Sequence, residues 1–173
     1  MAQTIDRLFL DFSGRKLRQL FDRISECAGK LSEEQIWMRS GEEQNAVGNL
    51  LLHLSGNVRQ WIVSGLGGKP DVRVRDREFS ARGQIAARDL LERLRTTLDE
   101  AVGVLDALPA ERLGERVVIQ KYDLTVLEAI YHVVEHFAQH TGQIIFATKL
   151  LTGRDLGFYA HLGRASEHGE QTP

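Results

Sequence analysis

The stretch TVLEAIYHVVEHFAQHTGQIIFATKLLTG, residues 125–153, decides the architecture. Val126, Ile130, Val133, Phe137, Ile144 and Leu151 recur in steps of three, four or seven. At 100° per residue those steps keep all six on one side of a helix. No proline interrupts the run, and Gly153 stands where a helix C-cap glycine belongs. The pattern predicts a helix from Asp123 or Thr125 to about Leu151. A helix of about 25 residues is roughly 38 Å long, a usual height for a helical bundle.

Three more segments carry the same period. From about Thr4 to Lys30 the apolar positions are Ile5, Leu8, Phe12, Leu20, Ile24 and Cys27. From about Asn45 to Gly65 they are Val47, Leu50, Leu51, Leu54, Val58, Trp61 and Ile62, with Gly65, Gly67, Gly68 and Pro70 as the stop. From about Gln84 to Leu108 they are Leu91, Leu94, Leu98, Val102 and Leu105, ended by Pro109. Ser32 with Gln35 three residues on reads as a capping box. Residues 116–120, RVVIQ, are β-prone and read as an extended strand or half a hairpin. The charged segment 71–83 reads as a long exposed connection anchored by Phe79. Four long helices, each with one apolar face, bury those faces most simply as an all-α four-helix bundle. The bundle is expected over residues 1–156, followed by a polar tail over 157–173.

Composition removes several functions. The 173 residues carry a formal net charge of −2, so there is no basic excess to neutralise phosphates, and nucleic acid is not expected as a partner. Hydrophobic residues make up 42 %, too many for a disordered chain. Cys27 is the one cysteine and cannot form an internal disulfide, so nothing points to an oxidising compartment. No apolar run is long enough for a membrane span and the first residues lack a signal-peptide pattern, so a cytoplasmic location is expected.

Six histidines hold the functional question. His132, His136 and His140 are four apart and share one side of the last helix. On the helical wheel His140 borders the apolar face, His136 sits at its edge, and His132 points further toward solvent. His136 and His140 are therefore the better chelating pair. His53, in NLLLHLSGN at residues 49–57, lies at a core edge of the second long helix. Two facing helices could converge the three imidazoles on one divalent ion, leaving positions for water or substrate. Such a nitrogen set suits Zn, Ni, Fe or Cu better than Mg or Ca. The plain alternative is a set of core-edge histidines hydrogen-bonded to neighbours. Residues 132–136, HVVEH, also match the inverted zinc-protease pattern H-x-x-E-H, but Glu135 falls on the outer face. His161 and His168 read as solvent-exposed tail residues. Arg73, Arg75 and Arg77 alternate with acidic residues and read as a solvated loop; folded over the open end of the bundle, they could meet an anionic group. Cys27 reads as a packing residue rather than a nucleophile.

The segments at residues 45–57, NAVGNLLLHLSGN, and 132–144, ending HTGQI, resemble the DinB/YfiT-like superfamily, in an uncharacterised bacterial branch. The resemblance covers about Ile5 to Leu156. The second segment is similar to that family's H-x-x-x-H-R-G-Q-I signature, with Thr141 where arginine is often found, a change expected to alter a contact beside the ligands. The resemblance implies an up-down-down-up bundle, often a homodimer, with His53, His136 and His140 holding a divalent metal, most often Zn or Ni. It implies chemistry of one of three kinds. The first is a metal-dependent thiol S-transferase, using a low-molecular-weight thiol on small electrophiles. The second is a metal-dependent hydrolase. The third is a non-catalytic dimeric bundle with a structural metal. Catalytic residues beyond the ligands are not assigned.

Overall fold

The computed structural model describes residues 3–160. The far tail, with His161 and His168, lies outside the described residues. Four long helices appear where the apolar periods place them. They are α1 (Ile5–Ala28), α3 (Val47–Val58), α5 (Ala87–Ala107) and α6 (Val126–Thr152). Helix α2 (Glu33–Ile36) is one turn, started by the Ser32/Gln35 capping box. Helix α3 runs on as a π-helical turn over Arg59–Ser64. Such turns are rare and concentrate at functional sites. Thr125 caps α6, with Glu128 closing the box, and Gly153 ends it at φ +65°.

Pairwise contacts fix the directions. Gln35 donates to the Leu151 carbonyl, which brings the ends of α1 and α6 together. Arg7 donates to the Asp106 carbonyl, which sets the start of α1 against the end of α5. Ser55 meets Thr97 and Arg59 meets Glu100, so α3 and α5 run parallel. His53 meets His136 while Trp61 meets His132, so α3 and α6 are antiparallel. The result is the up-down-down-up bundle. Its core joins Leu10, Leu17 and Ile24 to Leu51, Leu54, Leu94, Ile130 and Phe137, all essentially inaccessible. No helix among the described residues is long and apolar enough to cross a membrane.

Two regions differ from the sequence reading. Every residue of α3 is buried, not one face alone, because the segment expected as an exposed connection lies across its outer side. That segment contains a short helix, α4 (Arg75–Ser80). Arg39 and the wholly buried Asn49 clamp it: Asn49 Nδ2 donates to the carbonyls of Glu78 (2.8 Å) and Ala81 (3.2 Å), and Arg39 to those of Phe79 and Ala81. The β-prone run forms a full hairpin, β1 (Arg116–Ile119) against β2 (Tyr122–Thr125), with Ile119 opposite Tyr122. The last helix consequently begins at Val126 and not at Asp123. The turn residues Gln120 and Lys121 have φ of 51° and 71°. Those are the dihedral signs of a tight primed turn, made without the glycine or asparagine that announces one in sequence.

Candidate metal centre

Helices α3 and α6 cross where each has a histidine on its inner side. The Nε2 atom of His136 lies 3.1 Å from His53 Nε2 and 3.2 Å from His140 Nε2. The ligand atoms of all three lie within 4.8 Å of one another. Their rings meet edge-on, at interplanar angles of 62°, 79° and 87°. His53 is buried, and the other two are half-buried.

The donor chemistry tests whether a cation fits. The outer nitrogen of His53, Nδ1, lies 3.0 Å from Glu78 Oε2. Arg73 Nη2 also lies 3.1 Å from this nitrogen, but it donates to Glu78 Oε2 at 2.8 Å; an ionised carboxylate only accepts, so Nδ1 donates to Glu78 and Nε2 presents a lone pair. His140 Nδ1 lies 2.6 Å from Gln143 Oε1, which sets the same tautomer. Two Nε2 lone pairs thus face His136 Nε2 from two sides. A proton on His136 Nε2 satisfies only one of them. A divalent ion satisfies all three, with the His136 proton on Nδ1, a buried atom that has no hydrogen-bond partner. Metal–nitrogen bonds of about 2.0–2.1 Å at tetrahedral angles separate neighbouring nitrogens by about 3.3 Å, close to the two short spacings found. The group could therefore hold a metal ion.

Ionisation agrees. Burial, then the neighbouring His140, His53, His132 and Arg73, push His136 down to about 3. Burial also lowers His140, against an opposing hydrogen bond to Gln143. Metal ligation needs the neutral imidazole, and these surroundings supply it.

The surroundings come from the segment read as solvated. Arg73 and Glu78 are 5 % and 7 % exposed at their side chains. Arg73 grips the carboxylate through Nε to Oε1 and Nη2 to Oε2, both at 2.8 Å. Burial alone would raise the Glu78 pKa, but hydrogen bonds from Arg73 and His53 outweigh it and hold the group ionised. Phe79 tilts against His53 with centroids 4.8 Å apart, and the Arg75 guanidinium lies over the Phe79 ring. Gly56 makes the approach possible: a Cβ there would sit 1.9 Å from Glu78 Oε1. Of Arg73, Arg75 and Arg77, Arg73 reaches the triad and Arg77 stays exposed.

Other expectations fare differently. His132 stands outside the triad, as the wheel requires, yet it does not face open solvent. Its ring packs on Trp61 of the π-helical turn, centroids 4.3 Å apart. Glu135 is exposed and accepts from Gln139 on the outer face of α6, so the H-x-x-E-H reading has no general base at the metal position. Thr141 is buried and donates to the Phe137 carbonyl within its own helix. It faces the core and makes no hydrogen bond to the triad. Cys27 is buried, as expected. Arg73 was read from sequence as able to meet an anionic group only if its loop folded over the bundle, and Glu78 was not singled out; the small Gly56, near His53 on the same helix, is the signal that something approaches there.

A cleft of about 550 Å³ opens beside the triad. Its lining includes His53 and His136 of the triad, Trp61 and His132, and the hairpin residues Tyr122 and Leu124.

The fold and the site define a four-helix bundle with a histidine group that could hold a metal ion. The chain belongs to the family described as Protein of unknown function (DUF1572), whose model matches residues 4–160. Three crystal structures share the fold. A conserved protein from Enterococcus faecalis aligns with a TM-score of 0.69 at 14 % identity, covering 88 % of this chain and 100 % of that one. A DinB-like protein from Bacillus cereus aligns at 0.67 and 16 % identity, covering 90 % and 97 %. The DinB-like protein YjoA from Bacillus subtilis aligns at 0.65 and 17 % identity, covering 85 % and 96 %. Among curated proteins, none matches this sequence.

Proposed function

We propose that His53, His136 and His140 bind one divalent metal through Nε2, Zn or Ni by preference, and that the protein is a metal-dependent thiol S-transferase acting on small electrophiles. The observation that carries this reading is the convergence of three Nε2 atoms beside an open cleft that His53 and His136 line. A divalent cation held there supplies Lewis acidity, which lowers the pKa of a thiol or water brought to it. Three protein ligands leave a position for that partner, the pattern of reactive rather than structural metal sites. The cleft gives a small molecule access to the position, which argues against a purely structural metal. In the transfer, a sulfur–carbon bond forms, the carbon–leaving-group bond breaks, and the thiol proton departs with the leaving group.

The chain's own residues separate this reading from a hydrolase. A hydrolase that uses general-base catalysis needs a free base beside the attacking water, and without one the cation must acidify a water whose own pKa lies far above a thiol's. Two carboxylates line the cleft, and both are engaged. Glu128 accepts from Thr125 in the helix cap, and Asp123 accepts from Arg116. Glu78 is held by Arg73 and His53. A thiol, acidified by a cation, needs no such base.

The outer side of α6 exposes Leu127, Tyr131, Phe146 and Leu150, which suits a homodimer of this bundle. A cytoplasmic location, where free thiols stay reduced, suits the chemistry.

Metal analysis of purified protein, followed by conjugation assays with a panel of bacterial low-molecular-weight thiols and a chromogenic electrophile, tests the proposal. Stoichiometric metal and thiol-dependent turnover, both lost in His136→Ala, are expected. Turnover that needs metal but no thiol would overturn the transferase reading in favour of hydrolysis. A folded protein that binds no metal would overturn both.

A further inference from the structure

We propose that Glu78, braced by Arg73, is a positioning residue for the cation: it fixes the His53 ring and strengthens Nε2 as a donor. The inference rests on the reading that the triad holds a divalent metal.

Three features argue that the contact is built rather than incidental. First, it is buried: His53 and Glu78 are each 6 % exposed, far from the solvated charges the sequence pattern implies. Burying a charge is costly unless it is paired and hydrogen-bonded, and here both oxygens are occupied, by Arg73 and by His53. Second, the backbone is held independently of the side chain. Asn49, one turn before His53 on the same helix, takes the Glu78 carbonyl at 2.8 Å. Helix α3 thus grips α4 by Asn49 and receives its carboxylate at His53. Third, α3 keeps a hydrogen in place of a side chain at Gly56, where any Cβ would collide with Glu78 and Arg73.

The consequence is a graded set of ligands. A carboxylate on the outer nitrogen of a ligating imidazole orients the ring and raises its basicity. His53 has such a carboxylate, His140 has the neutral amide of Gln143, and His136 Nδ1 has no partner. His53 is therefore the strongest donor of the three. Arg73 balances the Glu78 charge, so the cation's own charge stays available to an anionic fourth ligand such as a thiolate.

The test is Co(II) and Zn(II) titration of the full-length metal-free protein, with Glu78→Gln and Glu78→Ala as variants. Glutamine keeps an acceptor for His53 and removes the charge; alanine removes both. Losing such a partner typically costs about 10–100-fold in metal affinity. Glu78→Gln is expected near the lower figure and Glu78→Ala near the upper, with the visible Co(II) bands shifted in both. Melting of the metal-free variants separates loss of fold from loss of donor strength. If Glu78→Ala does not fold, Glu78→Gln still decides. Wild-type affinity and an unshifted Co(II) spectrum in Glu78→Gln would overturn this inference alone. Equal weakening in both variants with an unshifted spectrum would reduce Glu78 to a structural role and overturn it too. A wild-type protein that takes up no metal would overturn both this inference and the proposed function.

Discussion

Replacing Gly56 by alanine tests the packing of α4 against α3 through the sign of its effect. In the interior of a helix that change ordinarily stabilises by about 1 kcal/mol, because glycine is the poorer helix former. Here the new Cβ would lie 1.9 Å from Glu78 Oε1, 2.8 Å from its Cδ and 2.9 Å from Arg73 Nε. The carboxylate cannot swing aside freely, because Arg73 and His53 hold it and Asn49 holds the backbone behind it. Overpacking of a fitted interior costs about 1–3 kcal/mol. Taking about 3 for a clash this close and subtracting about 1 for propensity leaves about 2 kcal/mol of destabilisation. For a chain of this size that lowers Tm by about 4–8 °C. The control is Gly103→Ala on α5, where a Cβ meets nothing within 4 Å. There propensity acts alone and Tm should rise by about 2–4 °C. Thermal unfolding of the metal-free protein followed by circular dichroism reads both. A Gly56→Ala protein as stable as the parent, or more so, would refute the placement of Glu78 against α3.

Three further outcomes are expected. Lys121→Gly relieves a left-handed residue at the hairpin turn (φ 71°) and should stabilise by about 1 kcal/mol, since the relief of about 1–2 exceeds glycine's entropic cost; an unchanged or lower denaturation midpoint would contradict it. Thr125→Ala removes the side-chain cap of α6 and should cost about 1 kcal/mol in urea unfolding. Light scattering after gel filtration should give twice the monomer mass, falling to the monomer mass in Tyr131→Lys; a wild-type monomer would end the dimer proposal.

Much of this molecule is written locally. The long helices follow from three- and four-residue apolar spacing, and the caps at Ser32, Thr125 and Gly153 from single side chains. The pairing of His136 with His140 is legible for the same reason, since residues four apart on one helix are neighbours wherever the helix goes. His53 is harder: its meeting with α6 depends on the bundle's topology, which the family resemblance supplied. Arg73 and Glu78 were not legible. Alternating charges in an arginine-rich segment look solvated, and the complete burial of α3 shows that something covers it. The second hairpin strand, Tyr122–Thr125, was missed, with the last helix read from Asp123 or Thr125, because Gln120 and Lys121 make a tight turn with neither glycine nor asparagine. His132 was set toward solvent because a wheel sees only its own helix, and Trp61 arrives from another.

The account's central claim is a metal held by three imidazoles. X-ray absorption at the zinc edge of the Zn-loaded full chain addresses it most directly. The account predicts three imidazole nitrogens at about 2.0–2.1 Å with a light-atom ligand completing the shell, and one imidazole fewer in His53→Ala. A shell with fewer than three imidazoles in the wild type, or an unchanged shell in His53→Ala, would contradict it.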